Sequence, residues 1–272
     1  MWLKPATRQS SPFFWKRAKY FLSRLIGTRL QKDKNIHFVT VNGQRYKRLI
    51  LCDSHLAAEI EQCLDCFASS GFFPPLLTRY EREIWLEFIE GQSIRNVNEP
   101  FVLQIADFYA TVYRMSPVSL KTTEWSHQGR LFNNLRFLYQ IGVLTQASYQ
   151  DLHAAAVDLT PDQVWIGCDY TDPVLKNFIL RPEDGRICVV DVDGLARHQL
   201  IGMGVAKACV RWLGSYRTVF FSSLANQQVP NFQEYFDFIE LCFLAKWTKR
   251  AFLEQDWKVI NPNLFERFRR PQ

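Results

Sequence analysis

The sequence predicts an α+β fold in two unequal parts, a small β-rich first lobe and a larger, mainly helical second lobe. Three observations predict it. Short apolar runs of period two, in pairs on either side of one helix-like segment, fill residues 35 to 90, and nearly everything after the break at Glu90-Gly91 has helical period. One stretch, 164–194, then returns to short strands flanked by acids. With 272 residues the chain has length for one or two domains and a large core. A hydrophobic fraction of 47%, a charged fraction of 22% and only 12 Gly and 12 Pro exclude collagen, low-complexity disorder and a disulfide miniprotein.

The first segment, 1–34, reads as a basic, aromatic arm. It carries nine cations (Lys4, Arg8, Lys16, Arg17, Lys19, Arg24, Arg29, Lys32 and Lys34) against one acid, Asp33. The whole chain has a formal charge of +6 and this arm +8, so the remainder carries −2, and a basic groove for nucleic acid is not expected. Within the arm, Phe14, Ala18, Phe21, Leu22 and Leu25 fall on one helical face and Lys16, Arg17, Lys19 and Arg24 on the other. Such a helix suits an anionic membrane surface, and the same stripe suits docking on the protein's own body.

The β-rich lobe follows over 35–90. Ile36 to Val41 and Arg45 to Cys52 flank Asn42-Gly43, the strongest short hairpin signal. A helix is expected over His55 to Phe67, where Leu56, Ile60, Cys63, Leu64 and Phe67 repeat at helical spacing, ended by Gly71 and Pro74-Pro75. Leu76 to Tyr80 and Ile84 to Ile89 read as a second strand pair. The helical lobe spans 91–272, with helices expected at Phe101 to Met115, around Leu131 to Leu138, at Gln146 to Val157, Ala206 to Tyr216 and Phe232 to Phe252. It contains the hairpin region 164–194, with strands at Phe178 to Leu180 and Ile187 to Val190 around the turn Glu183-Asp184-Gly185-Arg186.

Several chemistries find no support. The seven cysteines are odd in number and mostly set in apolar runs, and no signal peptide is apparent, which reads as reduced thiols in a cytoplasm. Cys63 and Cys66 form a C-x-x-C without a second ligand pair, so they read as two small residues on one helix face. No apolar run reaches the length of a membrane span. The histidines lack metal spacing, there is no G-x-S-x-G, and Trp165, Trp212, Trp247 and Trp257 lie at helical apolar positions expected to be core.

The chemistry-bearing residues concentrate in the hairpin region. Cys168-Asp169-Tyr170-Thr171-Asp172-Pro173-Val174-Leu175-Lys176-Asn177 is followed by Phe178-Ile179-Leu180, and Val189-Val190 by Asp191-Val192-Asp193-Gly194. An acid, an Asn five residues on, a short hairpin and a second acid at a strand end bring two carboxylates and a carboxamide oxygen to one end of a ribbon. Hard oxygens in that number suit Mg²⁺, which takes few protein ligands and completes its shell with water and phosphate. The other carboxylate is then available to receive a hydroxyl proton.

This string resembles the D-x-x-x-x-N loop and metal-binding Asp of the protein kinase-like superfamily. It is closest to the small-molecule branch, the aminoglycoside and choline phosphotransferases and the Kdo and heptose kinases of lipopolysaccharide cores. Asp191-Val192-Asp193 is similar to the Asp-x-Asp of the latter. The resemblance covers about 35–216 and implies a two-lobed protein kinase-like fold with ATP and Mg²⁺ as cofactors. It implies Asp172 as catalytic base, Asn177 and Asp191 as metal ligands and Asp193 as an assisting acid. Leu86-Glu87-Phe88-Ile89-Glu90-Gly91 resembles the segment that joins the lobes, which places adenine against the backbone of Glu87 and Phe88. A strand Lys paired to a helix Glu would hold the phosphates, and Lys47 with Glu59 is the expected pair. Arg48 and Glu61 stand beside them, and alternation alone does not say which neighbour points inward.

The sequence departs from the pattern in lacking G-x-G-x-x-G and in having Tyr170 two residues before the base and Pro173-Val174-Leu175 in the loop. A shifted alignment would make Asp169 the base instead. The implied activity is transfer of the γ-phosphoryl group of ATP to a hydroxyl of a sugar, glycolipid or small alcohol. The lipopolysaccharide core is favoured if the arm binds anionic lipid. The alternatives are a catalytically silent kinase-like module that binds nucleotide or a partner, and a lipid-surface scaffold without a nucleotide site. The expected location is the cytoplasm, peripheral on the inner face of the membrane if the arm engages lipid.

Overall fold

The computed structural model of the chain describes residues 35–125, 128–256 and 260–269. The basic arm and its expected helix lie outside the described residues, as do His127 and Trp257.

The first lobe is one antiparallel sheet with a helix beneath it. Strands β1 (Asn35–Val41), β2 (Gln44–Ile50), β3 (Leu76–Tyr80) and β4 (Glu83–Glu87) run in the spatial order β1-β2-β4-β3. The Asn42-Gly43 turn closes β1 on β2, with φ of 50° and 81° at its two residues, the left-handed pair that such a two-residue loop needs. Helix α1 (Ser54–Phe67) starts where Asp53 accepts a hydrogen bond from the Leu56 N–H at 2.8 Å. Its face of Leu56, Ala57, Ile60, Cys63, Leu64 and Phe67 is buried. Cys63 is buried and Cys66 exposed, so the two do not share that face as expected.

The lobes meet at Gly91. Strand β5 (Gln92–Ser93) pairs with β8 (Phe178–Leu180), and Gly91 has φ of 142° with the Leu180 carbonyl 2.3 Å from where a Cβ would stand. Any side chain here would push the joining segment off the hairpin, which is why the break in the sequence falls on a glycine.

In the second lobe, helices α2 (Glu99–Tyr113), α3 (Gln128–Gln140), α4 (Gln146–Leu159), α5 (Met203–Ala208), α6 (Arg217–Ala225) and α7 (Phe236–Leu253) surround a long apolar core. Helix α7 supplies Phe238, Ile239, Leu241, Leu244 and Ala245, all almost fully buried. Its buried Glu240 is held by Arg267 at 2.6 Å and Arg217 at 3.1 Å.

This lobe holds more strand than its helical periodicity suggests. Beside the expected ribbon of β8 and β9 (Ile187–Val189), a second sheet of order β10-β7-β6 joins β6 (Val118–Lys121), β7 (Gln163–Tyr170) and β10 (Leu195–Leu200). Strand β7 is buried on both faces from Val164 to Tyr170 apart from half-buried Trp165, so it shows no alternation. A bulge between Ala196 and Gln199, with His198 at φ of 54°, breaks the alternation of β10. The expected helix at Ala206 to Tyr216 is instead α5 followed by a π-turn at Cys209–Leu213 and a 3₁₀ turn at Gly214–Tyr216. Among the described residues no helix is long and apolar enough to cross a membrane.

Candidate active site

The residues of the 169–177 loop are positioned by an aromatic floor. Phe108 of α2 meets Tyr170 at 5.4 Å between ring centroids, and Phe101 meets Phe178 at 5.8 Å and Trp212 at 5.7 Å. Tyr109 Oη donates to the Tyr170 carbonyl at 3.1 Å, which fixes the end of β7. From there Thr171 to Val174 cross the floor, and the Thr171 N–H donates to the Gly194 carbonyl at 2.8 Å. The Val190 N–H donates to the Asn177 carbonyl at 2.9 Å, which sets Asn177 beside Asp191. Five aromatic rings thus lie under the 171–177 loop.

The structure brings Asp172, Asn177 and Asp191 together. Asn177 is 5% exposed, and its Nδ2 donates to the Asp172 carbonyl at 3.1 Å, with Tyr170 Oη and Asp191 Oδ2 each at 3.4 Å. With Nδ2 so engaged, the carboxamide oxygen is the atom left as an acceptor beside the Asp191 carboxylate. Asp193 lies in the following 3₁₀ turn and is mostly buried. One carboxamide and one or two carboxylate oxygens fit Mg²⁺. No group of three or more His, Cys, Asp or Glu able to cage a metal by itself is assembled among the described residues.

Between the two candidates for the base, exposure discriminates. Asp169 is fully buried, accepting from the Gly204 N–H at 2.8 Å and from Tyr113 Oη at 3.1 Å. Burial pushes its carboxyl up to about 7, opposed by these two hydrogen bonds. The Asp172 side chain is 40% exposed and pairs with Lys207, whose side chain is 20% exposed. Asp172 can meet a substrate, whereas Asp169 is a strut between β7 and α5. Burial likewise pushes the Tyr170 hydroxyl well up, which keeps it neutral beside the carboxylates.

Strand register decides between Lys47 and Arg48. Lys47 is 8% exposed and its Nζ donates to the Val190 carbonyl at 2.5 Å, next to Asp191. Arg48 points the other way, its Nε on Glu83 at 2.9 Å. The two acids expected near Lys47 have contacts of their own. Glu59 lies outside the apolar stripe of α1, 43% exposed, and faces His55 at 3.5 Å. Glu61 pairs with Arg79 of β3. Both acids stand outside the inward stripe of α1, whose positions go to apolar residues.

At the joining segment, the Glu87 N–H donates to the Pro75 carbonyl at 3.0 Å. The Phe88 ring lies 5.6 Å from Phe38 and carries the Arg45 guanidinium 3.8 Å from its centroid. Phe38, 60% exposed, is the cross-strand partner of Lys47 and so shares its face, which leaves an open aromatic ring beside Phe88. The sequence reading missed Phe38 because a strand aromatic has no distinguishing spacing.

It also missed Lys207 and the part played by Trp212. Trp212 is half-buried core as expected, yet its Nε1 donates to the Pro173 carbonyl at 2.7 Å and so clamps the loop. Lys207 stands alone among Val205, Ala206 and Ala208, and a lone cation in a buried apolar turn is the signal that could have found it.

The sequence matches no protein-family model and no curated protein. Solved structures do match over nearly the whole chain. A macrolide 2'-phosphotransferase from Brachybacterium faecium superposes with a TM-score of 0.60 at 12% identity, covering 94% of this chain and 98% of that one. An aminoglycoside phosphotransferase from Alicyclobacillus acidocaldarius gives 0.57 at 16% identity over 88% of each chain. Choline kinase from Streptococcus pneumoniae gives 0.56 at 13% identity over 93% of this chain and 97% of that one. The sheet-and-helix first lobe, the joining segment at Gly91 and the acidic ribbon beneath it together form the two-lobed protein kinase-like fold, and this chain has it in the form shared with small-molecule phosphotransferases.

Proposed function

We propose that the chain is an ATP- and Mg²⁺-dependent phosphotransferase that moves a γ-phosphoryl group to a hydroxyl of a sugar or glycolipid. The observation that carries this reading is the convergence of Asp172, Asn177, Asp191 and Lys47 at one end of the β8-β9 ribbon, held by hydrogen bonds through Asn177 Nδ2 and Lys47 Nζ. Asn177 and Asp191 would hold Mg²⁺, with Asp193 assisting. The bound ion would supply charge neutralisation across the phosphate oxygens. Lys47 is placed to meet the phosphates from the first lobe, and Phe38 and the backbone at Glu87 and Phe88 to receive the adenine. Asp172 takes the proton of the acceptor hydroxyl and fixes its line of attack.

The test is thermal melting with and without Mg²⁺-ATP. The wild type should gain several degrees and Asp191→Ala should gain nothing, because binding to the folded state alone raises its stability. Equal shifts in the two proteins would move the metal away from Asp191.

Two observations favour the second reading, a silent kinase-like module. The first hairpin carries no G-x-G-x-x-G to cover the phosphates, and Glu59, the acid expected beside Lys47, faces His55 at 3.5 Å. Turnover decides between the two.

For the acceptor, the charge of the arm supports a substrate at an anionic membrane surface, such as a lipopolysaccharide core sugar, with the protein peripheral on the cytoplasmic face. Deleting residues 1–34 should abolish sedimentation with anionic liposomes at low salt while the circular dichroism of the body is kept. Unchanged sedimentation would leave a soluble sugar or alcohol as the acceptor.

A further inference from the structure

We propose that Lys207 is a second phosphate-contacting cation, a catalytic residue that meets the transferring γ-phosphoryl group from the second lobe. The proposal rests on the phosphotransferase reading and adds to it a residue from outside the D-x-x-x-x-N loop.

Three observations carry it. Lys207 Nζ is paired with Asp172 Oδ1, so a full positive charge stands on the very carboxylate that would accept the hydroxyl proton. The pair is half open to solvent, with side-chain exposures of 20% for Lys207 and 40% for Asp172, so either partner can be released by an incoming ligand without uncovering a core. Finally, the segment carrying Lys207 is fixed to the loop on both sides of it. Upstream, the Gly204 N–H is held by Asp169 Oδ2 at 2.8 Å, and a Cβ on Gly204 would stand 2.0 Å from the Tyr170 carbonyl. Only glycine allows so close an approach of α5 to β7. Downstream, Trp212 Nε1 holds the Pro173 carbonyl at 2.7 Å, and the intervening π-turn at Cys209–Leu213 resets the direction of the chain between the two anchors. Such π-turns are frequent where a helix must aim side chains at a functional site.

Geometry then sets what the ammonium can reach. A base lies about 2.6–3.2 Å from the hydroxyl it deprotonates, and that oxygen lies about 3–3.5 Å from phosphorus in a reactive pose. A group in contact with Asp172 is therefore one side-chain rotation from the γ-phosphate oxygens. With the nucleotide absent, Lys207 covers the base. With it bound, the phosphoryl oxygens compete for the ammonium and free Asp172 for the acceptor. As transfer proceeds, the acceptor oxygen bonds to phosphorus while the bond to the β–γ bridging oxygen breaks. The hydroxyl proton passes to Asp172, ADP leaves with the bonding pair, and Lys207 keeps its proton throughout. Lys47 and Lys207 would thus bracket the triphosphate from opposite lobes.

The experiment compares Mg²⁺-ATP with Mg²⁺-ADP, using the full chain and its Lys207→Met, Lys207→Arg and Arg211→Gln forms. In the wild type ATP should raise the melting temperature more than ADP does, because only ATP carries the γ-phosphate. That excess should vanish in Lys207→Met and persist in Lys207→Arg and in Arg211→Gln, whose side chain is exposed one turn further on. Turnover of Mg²⁺-ATP should fall about 10²-fold in Lys207→Met, the usual effect of removing one preorganised charge partner. If Lys207→Met keeps the full ATP excess, or turns over at the wild-type rate, the proposal is overturned and the phosphotransferase reading stands. If neither nucleotide shifts the wild type, both fail together.

Discussion

Asp172→Asn should reduce phosphoryl transfer by about 10²–10⁴-fold while leaving the melting shift with Mg²⁺-ATP intact. The carboxamide is nearly the same size and keeps the chain in place, since Asn177 is held by the Asp172 backbone carbonyl at 3.1 Å and not by its side chain. What it cannot do is accept a proton from the attacking hydroxyl, and a positioned base contributes on that scale. In the proposed function nucleotide binding depends on other groups, namely Asn177, Asp191, Lys47 and Lys207, all of which are kept. A coupled assay of ADP release, with a panel of sugars and lipopolysaccharide as acceptors, measures the effect. Wild-type turnover that survives the substitution would remove Asp172 from the chemistry. A wild type that binds nucleotide but never turns it over would establish the silent module.

How much of this was legible in the sequence follows from the physics of each signal. The first lobe was readable because β2 and β4 alternate between buried and open residues, and because Asn42-Gly43 and Gly91 sit where only left-handed or crowded backbone can turn. The ribbon was readable because Asp172, Asn177 and Asp191 are close in sequence, so short-range spacing encodes their meeting in space. Strand β7 was not, since a strand covered on both faces loses its period. Which acid of α1 serves Lys47 was not legible for a related reason. Spacing places Glu59 and Glu61 on α1, but which face turns inward is decided by the packing of Leu56, Ile60 and Leu64 against the sheet. Lys207 escaped altogether because it lies 35 residues from Asp172 and reaches it only through the path of β10 and α5.

Asp169 carries the other large expected effect, on stability, and its sign follows from its burial. Its carboxyl ordinarily titrates at 3.8 and is pushed up to about 7 in the folded chain, so the native state holds the proton more tightly than the unfolded one. The resulting stability is fully present below about pH 4 and is lost as pH rises toward 7. One proton of difference corresponds to at most about 1.4 kcal/mol per pH unit in that window. Asp169→Asn keeps an acceptor for the Gly204 N–H and a polar contact for Tyr113 but does not titrate. Subtracting its urea-unfolding free energies from those of the wild type at pH 5, 6 and 7 should therefore give a falling difference. Asp169→Ala differs in kind. It leaves the Gly204 N–H and the Tyr113 O–H proton buried without an acceptor, at about 1–3 kcal/mol each, and should destabilise the chain by about 2–5 kcal/mol at pH 5, a difference that also falls as pH rises because alanine does not titrate. Because Gly204 opens the helix that carries Lys207, the alanine form should also lose the ATP-specific part of its melting shift, whereas the asparagine form should keep it. A flat difference for Asp169→Asn would mean that water or a neighbouring group relieves the buried charge.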